Sequence, residues 1–313
     1  MTSLRVFTEP QQGASYEDLL AVARTAEECG YDAFFRSDHY LKFGARTALP
    51  GYTDAWITLA GLARDTRTIR LGTLVSPVTF RAVGSFTILA AQVDQMSGGR
   101  LEVGLGAGWY ADEHEAYGLP FPPLPARYDR LEDQLAILHG CWSAPSGATF
   151  EFKGRTCSVR LEPDNLRPYQ RPHPPIVMGG AGGARSARLA VSFADEYNVS
   201  FRSIEDSRDI HERVRRACAE AGRDPAALRW SVAQTLCCGR TDAEIARRAA
   251  AIGRDVDELR NSGLAGTPAE VLDKLGRFAA AGVDRFYLQV LDITDLDHVR
   301  LVADEVLPQA PER

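Results

Sequence analysis

The feature that most constrains the fold of this 313-residue chain is a regular alternation of short β-type runs with longer helical patterns. The β-type runs are rich in β-branched and aromatic residues, and apolar residues at helical spacing separate them. Repeated strand–helix units favour parallel strands joined by right-handed crossovers. The predicted strands are residues 4–9, 32–36, 69–75, 100–106, 175–180, 196–201, 229–236 and 285–290.

Eight such units favour a closed α/β barrel over an open sheet, and the whole chain, residues 1–313, is expected to form one domain. The alternation breaks after a helix predicted at 127–141. Residues 143–174 then carry turn-forming residues and the alternating stretches ATFEF and TCSVRL, which predict a β-hairpin. The sequence therefore predicts a single TIM (β/α)8 barrel with a hairpin-bearing insertion, about 143–174, between strands 4 and 5.

Charge and cysteine content exclude several classes of function. The formal net charge of −6 provides no basic surface for nucleic acid or for an anionic membrane. The six cysteines form no CxxC pair and no zinc-ligand spacing, so we expect reduced thiols in a cytoplasmic protein. No apolar stretch reaches the length of a membrane span. We therefore expect a small-molecule substrate and neither a nucleic-acid nor a membrane partner.

Polar residues follow strand 2 at the end where a TIM barrel carries its active site. The stretch FFRSDHY places Ser37, Asp38 and His39 at that end. A lone histidine more often satisfies a turn or a core carbonyl, but this position in the architecture favours a functional role. Strand 3 continues as GTLVSPVTFR (72–81) and strand 4 as GLGAGWYADEHEAYG (104–118), on the same face.

The clearest ligand signal follows strand 5, in MGGAGGARS (178–186). Its glycines allow backbone N–H groups to approach a ligand, and a helix that begins near Ala184 offers its positive end, a combination that binds phosphate. The spacing matches neither the Rossmann nor the P-loop pattern. The stretch DEHEAYG (112–118) lacks metal-ligand spacing and is explained as a helix start, so no metal site is predicted. A phosphate-bearing cofactor is then expected to carry the chemistry.

Several stretches, in order along the chain, resemble the luciferase-like monooxygenase family, in particular its branch of oxidoreductases that use the deazaflavin coenzyme F420. The long central stretch is the most specific of them. The stretches are SDHY (37–40), RLGTLVSPVTFR (70–81), SGGRLEVGLGAGWYADEHEAYGLPFPP (97–123), RYDRLEDQLAIL (127–138), PIVMGGAG (175–182), GTPAEV (266–271) and AGVDRFYLQV (281–290).

The resemblance implies that the cofactor ring lies across the barrel mouth. Asp38 and His39 would face the ring, with His39 near the reactive carbon or the substrate. A non-proline cis peptide, placed by the resemblance at Leu74–Val75, would support the ring. Other pocket residues would be Thr73, Gly106 and Gly108. The cofactor's phosphate would be held by Gly179, Gly180, Gly182 and Gly183.

In one respect the chain departs from the sugar-phosphate dehydrogenases of this family, which carry a glutamate acid directly after GxGxG. Here that position is Trp109, whose indole offers an N–H group and a stacking face but cannot deliver a proton. This argues against glucose-6-phosphate oxidation and favours His39 as the residue that manages the proton. Trp109 is either part of the catalytic site or a packing residue under the insertion, and both interpretations stay open.

We therefore expect an F420-dependent oxidoreductase that transfers a hydride between the deazaflavin and a small organic substrate. The second hypothesis is an FMN-dependent two-component monooxygenase whose reduced FMN comes from a separate flavin reductase. Since both cofactors carry a phosphate, the glycine turn does not discriminate between them. A third hypothesis is a protein that binds flavin or deazaflavin without turnover.

Substrate contacts are expected from the loops 40–53, 109–125 and 143–174. Their aromatic residues favour an apolar or ring-bearing ligand or, equally, a lid that excludes water. These aromatic residues are Tyr40, Phe43, Tyr52, Trp109 and Tyr110. The family resemblance also implies a homodimer.

Overall fold

The computed structural model describes residues 2–44, 49–165 and 167–311. Residues 45–48 of the predicted substrate loop and residue 166 of the predicted insertion lie outside the described residues. No helix in these three ranges is long and apolar enough to cross a bilayer. The same ranges contain no group of three or more histidine, cysteine or acidic side chains arranged to hold a metal ion.

Among the described residues, eight parallel strands form a closed barrel in which each strand pairs with the next along the chain. The strands are β1 (Ser3–Thr8), β2 (Ala33–Arg36), β3 (Arg70–Thr73), β4 (Leu101–Gly106), β5 (Ile176–Gly179), β6 (Glu196–Ser200), β7 (Arg229–Cys238) and β8 (Arg285–Val290). The last strand pairs with the first along its whole length, from Ser3 opposite Arg285 to Thr8 opposite Val290. The predicted TIM barrel is therefore confirmed.

Helices surround the barrel, and local sequence explains where they begin. Ser15 and Asp18 form the expected capping box at the first helix, where Ser15 Oγ accepts from the Asp18 N–H at 3.1 Å. The helices are α1 (Tyr16–Glu28), α2 (Ala55–Asp65), α3 (Val83–Ser97), α4 (Ala111–Ala116), α5 (Leu124–Ser143), α6 (Ala184–Phe193), α7 (Ile204–Glu220), α8 (Asp242–Ala251), α9 (Val256–Ser262), α10 (Pro268–Ala280) and α11 (Leu296–Glu305).

Three details refine the predicted element pattern. The insertion contains the expected hairpin, with Phe150–Lys153 antiparallel to Ser158–Leu161. The third predicted strand is shorter than expected, because its pairing stops at Thr73 and resumes only at Ser76–Pro77, which pair with β4. A three-residue strand, Leu264–Gly266, pairs with the end of β7 inside the region that the sequence predicts as helical. Three residues are too few to show the apolar–polar alternation by which a strand is recognised in a sequence.

Strand alternation divides the barrel residues into an inner and an outer set. At the lower end of the interior lies a buried ionic network centred on Arg5, which is fully buried and donates to Glu102 at 2.6 Å and to the Tyr287 hydroxyl at 3.1 Å. Glu196 accepts from Tyr287 and from Arg285 in the same layer. An apolar cluster, the apolar layer, adjoins this network and comprises Phe7, Ala33, Phe35, Leu74, Val177, Ala233 and the Tyr287 ring. Phe7 and Phe35 lie two residues further towards the mouth than Arg5 and Ala33, with which they share strands.

Candidate active site

A cavity of about 860 Å³ opens at the carboxyl ends of the barrel strands. This volume lies in the range of cofactor and small-molecule sites. Its walls come from most of the strand ends, including Ser37 after β2, Gly106 in β4, Asn198 in β6 and Gln289 in β8. The apolar layer that includes Phe7 forms its floor. The cavity therefore lies on the face where the sequence analysis placed the site.

The residues after β2 continue the strand alternation, and this decides which of them face the cavity. Ser37 and His39 line the cavity, whereas Asp38 between them does not. The Asp38 side chain is buried behind the wall, where it pairs with Arg81 at 2.6 Å and accepts from the Ser76 hydroxyl at 2.6 Å. Asp38 was expected to face the cofactor ring, but successive residues of an extended chain point to opposite sides.

His39 is held by a carboxylate that the sequence analysis assigned only to a helix start. Its Nδ1 lies 2.9 Å from Oε1 and 3.1 Å from Oε2 of Glu113, a residue of α4 that is 1% exposed. Glu113 also accepts the backbone N–H of Tyr40 at 3.1 Å. An Nδ1–H that donates to this carboxylate leaves Nε2 as the nitrogen available for proton exchange. Glu113 lies seven residues beyond the end of β4, in the segment that crosses the catalytic face, and this position is the one sequence signal for it.

A second carboxylate, Glu9, lines the same cavity and was not predicted from the sequence. It directly follows β1, and a charged residue at the carboxyl end of a barrel strand is itself a signal for a site. Ser37 Oγ donates to Gln11 Oε1 at 2.5 Å, and Gln11 Nε2 donates to Glu9 Oε2 at 3.4 Å. Through these two hydrogen bonds the fully buried Gln11 connects Glu9 to Ser37, which lies two residues before His39.

Aromatic rings surround His39 at the mouth of the cavity. The ring centroids of Phe43 and Trp109 lie 4.9 and 5.7 Å from that of the imidazole, both edge-on. Tyr110 stacks on Trp109 at 5.1 Å, with 22° between the ring planes. Trp109 lines the cavity and is 66% exposed, so the structure places it at the mouth and open to solvent.

The wall between β3 and β4 contains the peptide bond that the resemblance singled out. The Leu74–Val75 bond is cis, as predicted, and both residues line the cavity. Gly106 also lines it, and a Cβ atom there would lie 2.9 Å from Val75 Cγ2. Thr73 is buried behind this wall and donates to a backbone carbonyl of β4, so it does not line the cavity.

The glycine turn after β5 is only partly exposed to the cavity. Gly179 and Gly180 line it, and Gly180 has a φ of +156°. Gly182, at φ +65°, donates its N–H to the Tyr197 hydroxyl at 3.0 Å, and Gly183 is the N-cap of α6. No side chain caps this helix start, although every residue around it is described. Gly182 and Gly183 therefore shape the turn, whereas Gly179 and Gly180 are the glycines that a ligand would meet. Gly108, at φ +79°, lines the cavity on the β4 side.

Two arginines line the same side of the cavity as the glycine turn. Arg202 follows β6, and Arg254 lies just before α9, where its Nε donates to Glu258 at 2.9 Å. An anion at the glycine turn would therefore find backbone N–H groups, a helix N-terminus and, in the same cavity, Arg202, whereas Arg254 is already paired with Glu258, which also lines the cavity. The sequence analysis did not single out either arginine, because their approach to the turn depends on the barrel closing.

These features define a class of protein: a TIM barrel with a glycine turn and a carboxylate-bound histidine in one cavity at its mouth. The chain belongs to the luciferase-like monooxygenase family, whose sequence pattern matches residues 1–261. The resemblance noted from the sequence is thus confirmed. Members of this family act as oxidoreductases or monooxygenases, with either F420 or FMN as cofactor.

Curated relatives fall on both cofactor branches. The chain is 30% identical over 212 residues to an F420-dependent hydroxymycolic acid dehydrogenase of Mycobacterium tuberculosis. The matched segment covers 67% of this chain and 56% of that protein. It is 34% identical over 136 residues to an FMNH2-dependent dimethylsulfone monooxygenase of Pseudomonas putida. This second match covers 42% of this chain and 35% of that protein. The chain thus spans between about a third and just over half the length of these two relatives.

Solved structures support the fold. An F420-dependent secondary alcohol dehydrogenase, solved with an F420–acetone adduct, superposes with a TM-score of 0.82 at 18% identity and covers 99% of both chains. At this level of identity the superposition shows a common barrel.

Proposed function

We propose that this protein is an F420-dependent oxidoreductase that transfers a hydride between the deazaflavin and a small organic substrate. The observation that carries the proposal is the His39–Glu113 pair, which holds a proton-exchanging group at one side of a cavity whose other side has the glycine turn. Hydride transfer to or from a carbonyl carbon needs a proton partner for the oxygen, and a positioned histidine is the usual one.

The residues present fit a phosphate-bearing cofactor of this kind. Gly180 cannot carry a side chain without crowding, since a Cβ there would lie 3.1 Å from Ser186 Oγ and 3.2 Å from the Tyr197 hydroxyl. The turn therefore exposes backbone, and the uncapped start of α6 lies beside it. Leu74 and Val75 present an apolar surface to a ring. When bound, the deazaflavin supplies or accepts the hydride.

His39 would manage the proton at Nε2. In the reductive direction, Nε2–H donates its proton to the substrate oxygen while the carbon receives the hydride. In the oxidative direction, neutral Nε2 accepts the proton of the substrate hydroxyl while the carbon loses the hydride. The buried Glu113 carboxylate stabilises the imidazolium in either case and fixes the ring orientation.

The FMN-dependent monooxygenase remains the second candidate function, and the match with the dimethylsulfone monooxygenase favours it. We prefer F420 because the match with an F420-dependent relative extends over 212 residues, compared with 136. An FMN enzyme of this type would also need a separate reductase as a partner. Both cofactors carry a phosphate, so the glycine turn would accept either.

Equilibrium binding of the purified protein to F420 and to FMN, each followed by its own fluorescence, tests the proposal. We expect the deazaflavin to bind and FMN to bind more weakly. A preference for FMN would move the protein to the oxygen-inserting branch, and binding of neither would contradict the cofactor site altogether.

The His39→Ala variant then tests the role of the imidazole. We expect it to keep its affinity for F420 and to lose turnover by about 10²- to 10⁴-fold, the usual contribution of a general acid or base. His173→Ala, in a half-buried histidine outside the cavity, is the matched control and should keep full activity. Unchanged turnover in the His39 variant would remove His39 from the mechanism and leave a protein that binds its cofactor without this chemistry.

A further inference from the structure

The cavity has two chemically different sides. One side, which we name the phosphate end, comprises the glycine turn with Arg202 and Arg254 and lies at β5 to β7. The other, which we name the substrate end, comprises His39, Phe43, Trp109, Glu113 and Leu124 and lies mainly at β2 and β4. In a closed eight-stranded barrel, β2 and β6 lie on opposite sides of the mouth. His39 and Phe43, which follow β2, therefore lie across the mouth from Arg202, whereas Trp109 and Glu113 follow β4, the neighbour of β5.

From this arrangement we infer the class of substrate: an uncharged, ring-bearing or branched alcohol or carbonyl compound, with discrimination against phosphorylated and carboxylated molecules. The inference rests on the proposed function, because it assigns the phosphate end to the cofactor. It concerns only the residues at the substrate end.

Aromatic and aliphatic surfaces dominate the substrate end. Phe43 and Trp109 lie 5.4 Å apart between ring centroids, and both contact the His39 ring. Leu124 adds an aliphatic surface. A ligand that reaches Nε2 of His39 must lie against these rings, and apolar groups gain most from such contacts. Trp109 is 66% exposed, so much of its ring surface is accessible to a ligand.

The charges at this end disfavour an anion. Its carboxylate is Glu113, and no lysine or arginine is among the described residues that line it. Behind the wall, the Arg81 guanidinium is held by Asp38 and Asp54, each at 2.6 Å, so its charge is compensated there. A phosphate or carboxylate group would therefore lose its hydration near the Glu113 carboxylate without gaining a lysine or arginine, and the one group there that can become positive, His39, already has Glu113 as its counter-ion.

Trp109 provides a reporter located at the substrate end. The chain has four tryptophans, of which Trp56, Trp142 and Trp230 are buried at 1–2% exposure. Quenching of tryptophan fluorescence by acrylamide should thus come almost entirely from Trp109. A ligand that sits at the substrate end will protect this residue, and the ligand concentration at half-protection gives its affinity. The Trp109→Phe variant should lose the signal, which confirms its origin.

The experiment compares cyclohexanol with cyclohexyl phosphate, which share the ring and differ in charge. We expect cyclohexanol to protect Trp109 at a concentration at least about tenfold lower, equivalent to about 1.4 kcal/mol. Phe43→Ala should raise the half-protection concentration by about two- to tenfold, in line with the loss of one aromatic contact. Tyr169→Ala, which removes an equally exposed ring outside the cavity, should leave it unchanged.

Equal or tighter binding of cyclohexyl phosphate would overturn the inference, and so would a failure of both probes to protect Trp109. Deazaflavin binding, followed in parallel by its own fluorescence, separates this inference from the proposed function. A protein that binds F420 but prefers the phosphate ester refutes only the substrate class. A protein that prefers cyclohexanol but does not bind F420 refutes only the proposed cofactor.

Discussion

The contact between Glu113 and His39 predicts a specific kinetic effect for the variant Glu113→Gln. The two carboxylate oxygens of Glu113 accept from His39 Nδ1 and from the Tyr40 N–H. A glutamine has only one acceptor oxygen, so its NH2 group must face one of these donors. The variant also removes the negative charge that stabilises the imidazolium.

A hydrogen bond to a charged group contributes about 1.5–3 kcal/mol, and each 1.36 kcal/mol of barrier is a factor of ten in rate. We therefore expect kcat to fall by about 10- to 100-fold, with the dissociation constant for F420 unchanged within about a factor of two.

Glu115→Gln is the matched control, since Glu115 lies on the same short helix but is exposed. It should leave kcat unchanged. A wild-type kcat in Glu113→Gln would refute the role assigned to Glu113. That role is refuted equally if cofactor affinity falls in parallel with kcat, because Glu113 would then serve the architecture of the site and not the proton.

Three further predictions concern stability and assembly. Asp38→Asn should lower the free energy of unfolding, measured in urea, by about 3–5 kcal/mol, because it breaks the buried ion pair with Arg81. A loss below about 1 kcal/mol would contradict this prediction. Burial is the largest single effect on the pKa of Glu102 and raises it, but the charges of Arg5, Arg70 and Arg285, with the hydrogen bond from Arg5, together lower it to about 2. This carboxylate therefore stabilises the fold above its unfolded pKa of about 4.5, and that contribution is lost as the pH falls towards 2. Glu102→Gln should flatten the fall of Tm between pH 5 and about 3, and an equally steep fall would refute the assignment. We propose a homodimer that buries Ile57 on α2 and Ile88 on α3, which are 72% and 45% exposed. The double variant Ile57→Glu/Ile88→Glu should sediment as a monomer. A wild-type protein that sediments as a monomer would exclude this interface.

Much of the fold was predictable because its signals are local or repeat along the chain. The strand–helix alternation implied a closed barrel, and the alternating stretches at 149–161 implied the hairpin. The short strand Leu264–Gly266 was not predicted, since three residues carry no period. The cis bond at Leu74–Val75 came from family resemblance, as nothing in the residues themselves indicates it.

The candidate site was predicted less completely, because orientation depends on the assembled barrel. Strand alternation, applied beyond Arg36, would have turned Asp38 away from the cavity and His39 towards it. Glu113 was harder to assign. An acidic residue in the first turn of a helix has a sufficient local explanation, and only the approach of α4 to the end of β2 shows that this carboxylate contacts an imidazole.

The layers of side chains that fill the lower barrel have a kinetic consequence. Among the described residues, the Arg5 network and the apolar layer occupy the barrel interior below the cavity, so ligands reach the site from the mouth. A ligand that lies against the apolar floor is then covered by any ligand that binds nearer to the mouth. For such a pair we expect ordered kinetics, in which the deeper ligand binds first and leaves last.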